Sequence, residues 1–243
     1  MKQTIFTITE NTALTATVYK MVLVGDTDGI TTGQFVNILL DGLYLRRPIS
    51  VCDCADGTLT LVYKVVGKGT AQMAAMTAGQ TLDVLTGLGN GYDLSKAGDH
   101  PLLLGGGVGV PPLYMLARQL REQGKAVSVV LGFNNADEVF YEQEFKALGC
   151  DVTVSTADGS HGVKGFVTDA LPEEYSYFYT CGPEPMLKAV YRATNTSGQF
   201  SFEERMGCGF GACMGCSCKV ITGYKRICKD GPVLEKEEIL WDA

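Results

Sequence analysis

The strongest constraint on this chain lies near its carboxy end. Cys208-Gly-Phe-Gly-Ala-Cys213-Met-Gly-Cys216 is followed, after eleven intervening residues, by Cys228. This C-x4-C-x2-C…C spacing matches the plant-type ligand set of a [2Fe–2S] cluster, in which each iron takes two protein thiolates beside the bridging sulfides. Whatever the rest of the chain does, it must bring three thiols of one tight loop and one of a returning segment to the same place. Gly207, Gly209, Gly211 and Gly215 let a backbone wrap closely around an inorganic core and aim N–H groups at its sulfurs. The spacing points to electron transfer.

Two other uses of the thiols stand beside this one. Zinc also takes four thiolates, but usually from two C-x2-C knuckles, and only one is present here. Disulfides are the other. Cys218 is a fifth thiol in the same region and reads as a bystander. Cys52, Cys54, Cys150 and Cys181 are scattered without ligand spacing and read as small core or near-site residues.

A chain of 243 residues, 46% apolar and 19% charged, has room for one large or two modest domains with a real core. A net charge of −7 argues against nucleic acid as a partner. No apolar run approaches a membrane span, and the opening Met1-Lys-Gln-Thr-Ile-Phe-Thr alternates like a strand, without the apolar core of a signal peptide. Nine cysteines, an odd number outside any small secreted scaffold, suit a reducing cytoplasm.

Along the first 97 residues the pattern is β: Ala13 to Val24, Phe35 to Leu40, Pro48 to Cys52, Leu59 to Val66 and Thr81 to Leu85, with one short helix at Thr70 to Met76. Short strands at regular spacing predict a closed antiparallel barrel. From residue 98 strands and helices alternate. Strands are expected at Pro101–Leu104, Ala126–Leu131, Asp151–Ser155 and Tyr177–Thr180, and helices at Leu113–Arg121, Glu138–Leu148, Gly165–Leu171 and from Pro183 to Ala193. That alternation predicts βαβ units and a parallel sheet. A last strand, Gly198–Phe202, leads into the cysteine loop. The chain therefore divides into a β-barrel (1–97), an α/β domain (98–198) and an iron–sulfur segment (199–243).

Two glycine turns sit where strands of the α/β part end and helices begin. Gly105-Gly106-Gly107-Val108-Gly109-Val110-Pro111-Pro112 and Cys181-Gly182-Pro183 are placed where such sheets receive a dinucleotide, with the pyrophosphate at a helix N-terminus. Alone, the first is not a strict GxGxxG and equally serves as a tight connection; the second strengthens it. In the barrel, Arg46-Arg47-Pro48-Ile49-Ser50 opens a strand. An arginine there can pair with phosphate and a serine can reach a ring nitrogen, although taken alone the segment reads as a solvated charge pair beside an edge proline. Gly67-Lys68-Gly69-Thr70 is a second candidate phosphate cradle. His100 and His161, the only histidines, receive no role.

With these residues assembled, the chain resembles the ferredoxin–NADP reductase superfamily over nearly its whole length, and within it the electron-transfer subunits of type B dihydroorotate dehydrogenases. The resemblance implies a Greek-key barrel for FAD, an α/β domain for NAD and a carboxy-terminal [2Fe–2S] segment. Arg47-Pro48-Ile49-Ser50 matches the superfamily's R-x-Y-S/T flavin motif with Ile49 in place of the aromatic, which assigns Arg47 to the pyrophosphate and Ser50 to the flavin ring. Val62-Tyr63-Lys64 and Gly69-Thr70 match further FAD contacts. Gly105, Gly106, Gly107 and Gly109, with Cys181 and Gly182, match the pyridine-nucleotide turns. Arg205 to Cys208 and Cys228 to Val233 match the cluster segment, with Cys208, Cys213, Cys216 and Cys228 as ligands. The terminal aromatic that covers the flavin in many such reductases has no counterpart; Trp241 lies beyond the cluster segment.

Nicotinamide exchanges two electrons as hydride and a [2Fe–2S] centre one at a time, so a flavin between them is required. The three modules use up the chain and leave no substrate domain. The resemblance therefore implies an FMN-bearing catalytic subunit as partner, two of each chain, oxidising dihydroorotate to orotate in pyrimidine biosynthesis. No acid–base residue is demanded of this chain. Between Leu131 and Gly162 the only Lys or Arg is Lys146, which favours NAD over NADP. The competing readings are an electron-transfer subunit of a sulfide- or ferredoxin-linked NAD(P)H oxidoreductase, and a non-enzymatic metal-binding or redox-sensing module without flavin.

Overall fold

The computed structural model describes residues 1–241. Alternating apolar residues close the first part into a six-stranded antiparallel barrel of order β1-β2-β5-β4-β3-β6. The strands are β1 (Lys2–Ala13), β2 (Val18–Val24), β3 (Phe35–Ile38), β4 (Arg47–Ala55), β5 (Thr58–Lys64) and β6 (Thr81–Leu88). Phe6, Ile8, Met21, Leu23, Val36, Leu61 and Val84 fill its interior. Helix α1 (Lys68–Ala74) adds Met73 to this core. The single strand expected from Ala13 to Val24 is instead the end of β1, a turn and β2. The Thr15 hydroxyl accepts the N–H groups of Thr17 (3.3 Å) and Val18 (3.1 Å), a local bond that offers the backbone an alternative to the ladder.

Arg46 clamps the barrel between β3 and β6. Its Nη1 donates to the carbonyls of Asn37 (3.2 Å) and Asp83 (3.1 Å) and pairs with the Asp83 carboxylate at 2.9 Å. The guanidinium, helped by the Gln3 amide, holds the Asp83 carboxyl below its usual range against the opposing pull of desolvation. A depressed carboxyl stabilises the fold above its unfolded-state value and loses that contribution as pH falls through the folded-state value. Asp83→Asn is therefore expected to cost up to about 1 kcal/mol at neutral pH, a difference that closes below about pH 4. Thermal melts of both proteins across that range check it.

The second part is a seven-stranded sheet of order β10-β9-β8-β7-β11-β12-β15. Its strands are β7 (Pro101–Gly106), β8 (Ser128–Phe133), β9 (Asp151–Thr156), β10 (Val163–Lys164), β11 (Tyr177–Cys181), β12 (Gly198–Ser201) and β15 (Val233–Glu235); all are parallel except β15, which runs against β12. Leu102, Leu103 and Leu104 are all buried, as a strand covered on both faces requires. Helices α2 (Tyr114–Glu122), α3 (Glu142–Ala147) and α4 (Glu184–Ala193) pack on it, and β13 (Ser217–Val220) with β14 (Gly223–Arg226) forms a separate hairpin. The chain runs from β7 through β8 and β9 to β10 in one direction and then returns to β11 on the other side of β7. The switch point therefore lies between β7 and β11, where open α/β sheets bind ligands.

The helix expected over Glu138–Leu148 is two pieces, a 3-10 turn at Ala136–Glu138 and α3, because Tyr141 between them adopts φ +66°. That conformation sends Tyr141 to the barrel, where its hydroxyl oxygen accepts from the buried Cys52 thiol at 3.3 Å. The helix expected over Gly165–Leu171 is one 3-10 turn, Val167–Ala170. Barrel and α/β part share a core in which Val18, Cys52 and Val62 meet Leu113, Leu116 and Ala117. Arg118 of α2 ties it down, with Nη2 2.8 Å from Asp53 Oδ1 and 3.2 Å from the Cys54 carbonyl.

Candidate functional site

The cysteine loop is built by its glycines. Gly209 and Gly211 lie at φ +76° and +90°, a region that side chains avoid. The turn they allow aims the backbone N–H groups of Ala212 (3.2 Å) and Cys213 (3.4 Å) at Cys208 Sγ. Burial pushes the Cys208 thiol up, yet the N–H groups of Phe210, Cys213 and Ala212 outweigh it and hold the thiol below its ordinary value. On the other side, the Cys228 N–H points at Cys216 Sγ (3.4 Å), and burial followed by the neighbouring Cys216 raises the Cys228 thiol. All nine cysteines are free. Among the described residues no three His, Cys, Asp or Glu side chains converge on one point as a mononuclear ion requires. Backbone bonds instead link the loop cysteines two by two, the Cys213 N–H to Cys208 Sγ and the Cys228 N–H to Cys216 Sγ, each at 3.4 Å. That donor set suits a binuclear cluster, two thiolates to each iron.

Arg226 was not singled out by its sequence. It joins the two ligand-bearing segments: Nη1 donates to the Gly211 carbonyl at 2.9 Å while Nε and Nη2 grip Asp230 at 2.9 and 3.2 Å. The only signal for it is an Arg and an Asp four apart, flanking Cys228. Cys218 sits in β13, half-buried.

The flavin motif divides along β4. Arg47 lies across Gly69 so closely that any side chain at Gly69 would run into the guanidinium; the expected pyrophosphate arginine and the second candidate phosphate cradle thus stand together. Thr70 is already engaged, its hydroxyl accepting from Val66 N (2.9 Å) and Gly67 N (3.2 Å), so it shapes this cradle from within. Pro48 lines a cavity and Ser50 is exposed, whereas Ile49 turns toward the barrel core. Val62 is buried in the core shared with the α/β part, and Tyr63 is buried in the barrel with its hydroxyl donating to Asn11 Oδ1 at 3.0 Å. Lys64 reaches a small hollow that it shares with Gly107 and Val108.

The cavity, about 720 Å³, opens where the three modules meet. Arg46, Arg47 and Pro48 contribute from the barrel, Gly182 and Pro183 from the second glycine turn, and Met206 from the cluster segment. Phe202 and Trp241 form an apolar wall, their rings 5.4 Å apart, with Trp241 also edge-on to Tyr191 and Phe200 at 5.5 Å. A flat ring held here would lie between the nucleotide turns and the cysteine loop. Arg47, laid over Gly69 and lining this cavity, fits an FAD pyrophosphate.

The two glycine turns touch. A side chain at Gly109 would collide with the Cys181 carbonyl and Gly182, and one at Gly106 with Met186 of α4. Gly105 is closed off by Val110 and Leu113. Gly107, at φ +52° with nothing near its Cβ position, is the one that stays open at the crevice, beside the exposed Val108. Cys181 is raised to about 12 by burial. His100 is exposed, and His161 pairs with Glu142 at 2.9 Å.

Known proteins agree with this arrangement. Residues 203–240 match the iron–sulfur cluster binding domain of dihydroorotate dehydrogenase B, and residues 103–192 match the oxidoreductase NAD-binding domain. The chain is 46% identical over 245 residues to the dihydroorotate dehydrogenase B (NAD(+)) electron transfer subunit of Fusobacterium nucleatum, covering 93% of this chain and 94% of the relative. It is 44% identical to the same subunit of Shouchella clausii, covering 98% of both. A solved structure of an NADH-dependent reduced ferredoxin-NADP oxidoreductase superposes with a TM-score of 0.89 at 32% identity, over 97% of this chain and 90% of that one. No helix among the described residues is long and apolar enough to cross a membrane. On the identity and coverage of these relatives, the chain belongs to the family of dihydroorotate dehydrogenase B (NAD(+)) electron transfer subunits.

Proposed function

We propose that this chain carries electrons from the catalytic subunit of a dihydroorotate dehydrogenase to NAD⁺ by way of a [2Fe–2S] cluster and FAD. The observation that carries the reading is the cavity, which joins the Arg47 motif, the Gly182 turn and the Met206 edge of the cysteine loop in one place. The bound groups supply the redox chemistry, the flavin converting one-electron into two-electron transfer. The chain's own residues hold and orient: Arg47 and Gly69 take the flavin pyrophosphate, Ser50 faces the ring, Cys208, Cys213, Cys216 and Cys228 take the irons, and Gly107 with Gly182 receives the nicotinamide dinucleotide. The overall conversion balances as dihydroorotate plus NAD⁺ giving orotate, NADH and one proton. Lys146, the only Lys or Arg between Leu131 and Gly162, is bound to Glu142 at 2.7 Å, which supports NAD over NADP. A cytoplasmic location fits a chain with nine cysteines and no disulfide between them among the described residues.

The partner in this reading is an FMN-bearing catalytic subunit, two of each chain, docked on the cluster side. Phe210 and Met214 of the cysteine loop are 44% and 54% exposed, with Tyr224 of the adjoining hairpin at 71%. Phe210→Glu is expected to weaken co-purification with the catalytic subunit by about tenfold or more, the loss of an apolar interface anchor, with iron content retained. The ferredoxin-linked reading draws on the 0.89 superposition, but the identity there is 32% against 46%. Pull-down of the native protein followed by an assay of dihydroorotate-dependent NAD⁺ reduction separates the two: orotate and NADH formed together support the proposal, and a complex inert to dihydroorotate refutes it.

A further inference from the structure

We propose that Asn37 is a positioning residue that holds the cluster loop in register with the flavin cavity, a role that rests on the cofactor reading above. Strand β3 sends Val36 and Ile38 into the barrel core and Phe35 and Asn37 outward. In an antiparallel pair, residues directly opposite share a face. Phe35 stands opposite Ser50, and Asn37 opposite Pro48, the cavity-lining residue of the flavin motif. The same outward face meets the cluster segment. Phe35 packs with Cys216 and Cys228, and Asn37 Nδ2 donates to the Cys208 carbonyl at 3.2 Å.

Asn37 is 1% exposed, and its Oδ1 finds no partner. A buried amide in a barrel wall is costly unless bonded, and an apolar residue would fill the space without that cost. What the amide adds is direction: it fixes one carbonyl of the ligand loop. The fit is two-sided, because Gly209 abuts the Asn37 amide so closely that a side chain there would displace it. Behind Asn37, its own carbonyl accepts from Arg46, whose side chain lines the cavity. A continuous hydrogen-bonded chain, Arg46 to Asn37 to Cys208, thus runs from the cavity wall to a cluster ligand. With a cluster on the loop and a flavin in the cavity, which together would supply one-electron transfer, no bond to Asn37 would form or break; its part would be to keep the Cys208 backbone at a fixed distance from the cavity wall.

The test uses the intact, cofactor-loaded chain carrying Asn37→Leu, which keeps the branching and the number of side-chain heavy atoms and removes the donor. Iron and flavin are measured per chain, the low-temperature electron paramagnetic resonance line shape of the reduced cluster is recorded, and bleaching of cluster and flavin bands by NADH is followed in one rapid-mixing experiment. The expected result is an altered line shape and a cluster-to-flavin bleaching ratio that falls by about tenfold or more per loaded cluster, as a displacement of about 1 Å at a positioned group can produce. A parental line shape and ratio overturn the proposal. If Asn37→Leu loses the cluster or fails to fold, Asn37→Ala, which removes the amide without adding atoms against the loop, must give the same altered line shape and slowed ratio; a parental line shape and ratio there overturn it equally. Absence of flavin or iron from the unsubstituted chain would instead contradict the proposed function itself.

Discussion

Cys213→Ser is expected to strip the iron from the protein, by about tenfold or more relative to the parent, while FAD largely remains. A serine hydroxyl does not ionise near neutrality and is a poor ligand for a centre held by thiolates. The change removes one of only two ligands on one side of the cluster. Cys213 is also the exposed member of its pair, so its own side chain has little packing to hold it in place once the ligand is gone. The proposed flavin residues Arg47, Ser50 and Gly69 lie on β4 and α1, far in sequence from Cys213, which is why flavin absorption should survive. Cys218→Ser is the matched comparison. Cys218 lies two residues beyond Cys216 in β13, outside both pairs, and its loss should leave iron unchanged. Iron analysis and the visible spectrum of anaerobically purified protein decide the matter; unchanged iron in Cys213→Ser would refute the ligand assignment.

Arg47→Ala should weaken FAD binding by about 10- to 150-fold, corresponding to about 1.5–3 kcal/mol for a hydrogen bond to a charged group. The guanidinium is the one fixed cation laid over Gly69. Its Nη1 already donates to the Leu45 and Arg46 carbonyls, so the fork is held in place before any ligand arrives. Arg47→Lys is expected to recover only part of the loss, because a point charge replaces a planar fork. Fluorescence titration of the flavin-free protein with FAD measures both, and an unchanged dissociation constant would remove Arg47 from the site.

Much of this molecule was legible in its sequence because the informative residues act locally. Ligand spacing is a property of consecutive residues, and so are the strand-end glycines of β7 and β11 and the alternation that makes the barrel. What escaped reading depends on contacts between distant segments. Strand β15 is three residues long and exists because β12 offers an edge to it. Tyr141 breaks a helical pattern in order to meet Cys52, 89 residues away. Arg46 looked like a solvated charge and is a clamp between two barrel strands. The glycines of the first turn were all assigned to a dinucleotide, yet Gly105, Gly106 and Gly109 owe their lack of a side chain to Val110, Met186 and Cys181. Arg226 and Asn37 each reach the cysteine loop through one hydrogen bond to a backbone carbonyl, of Gly211 and of Cys208, contacts between segments that are distant in sequence.

The most direct measurement is an anaerobic NADH titration of the purified chain, followed by absorbance and by low-temperature electron paramagnetic resonance. The account expects one flavin and about two irons per chain, bleaching of both chromophores, and the signal of a reduced [2Fe–2S] centre appearing as NADH is consumed. A flavin that bleaches while no iron signal develops in iron-replete protein would contradict it.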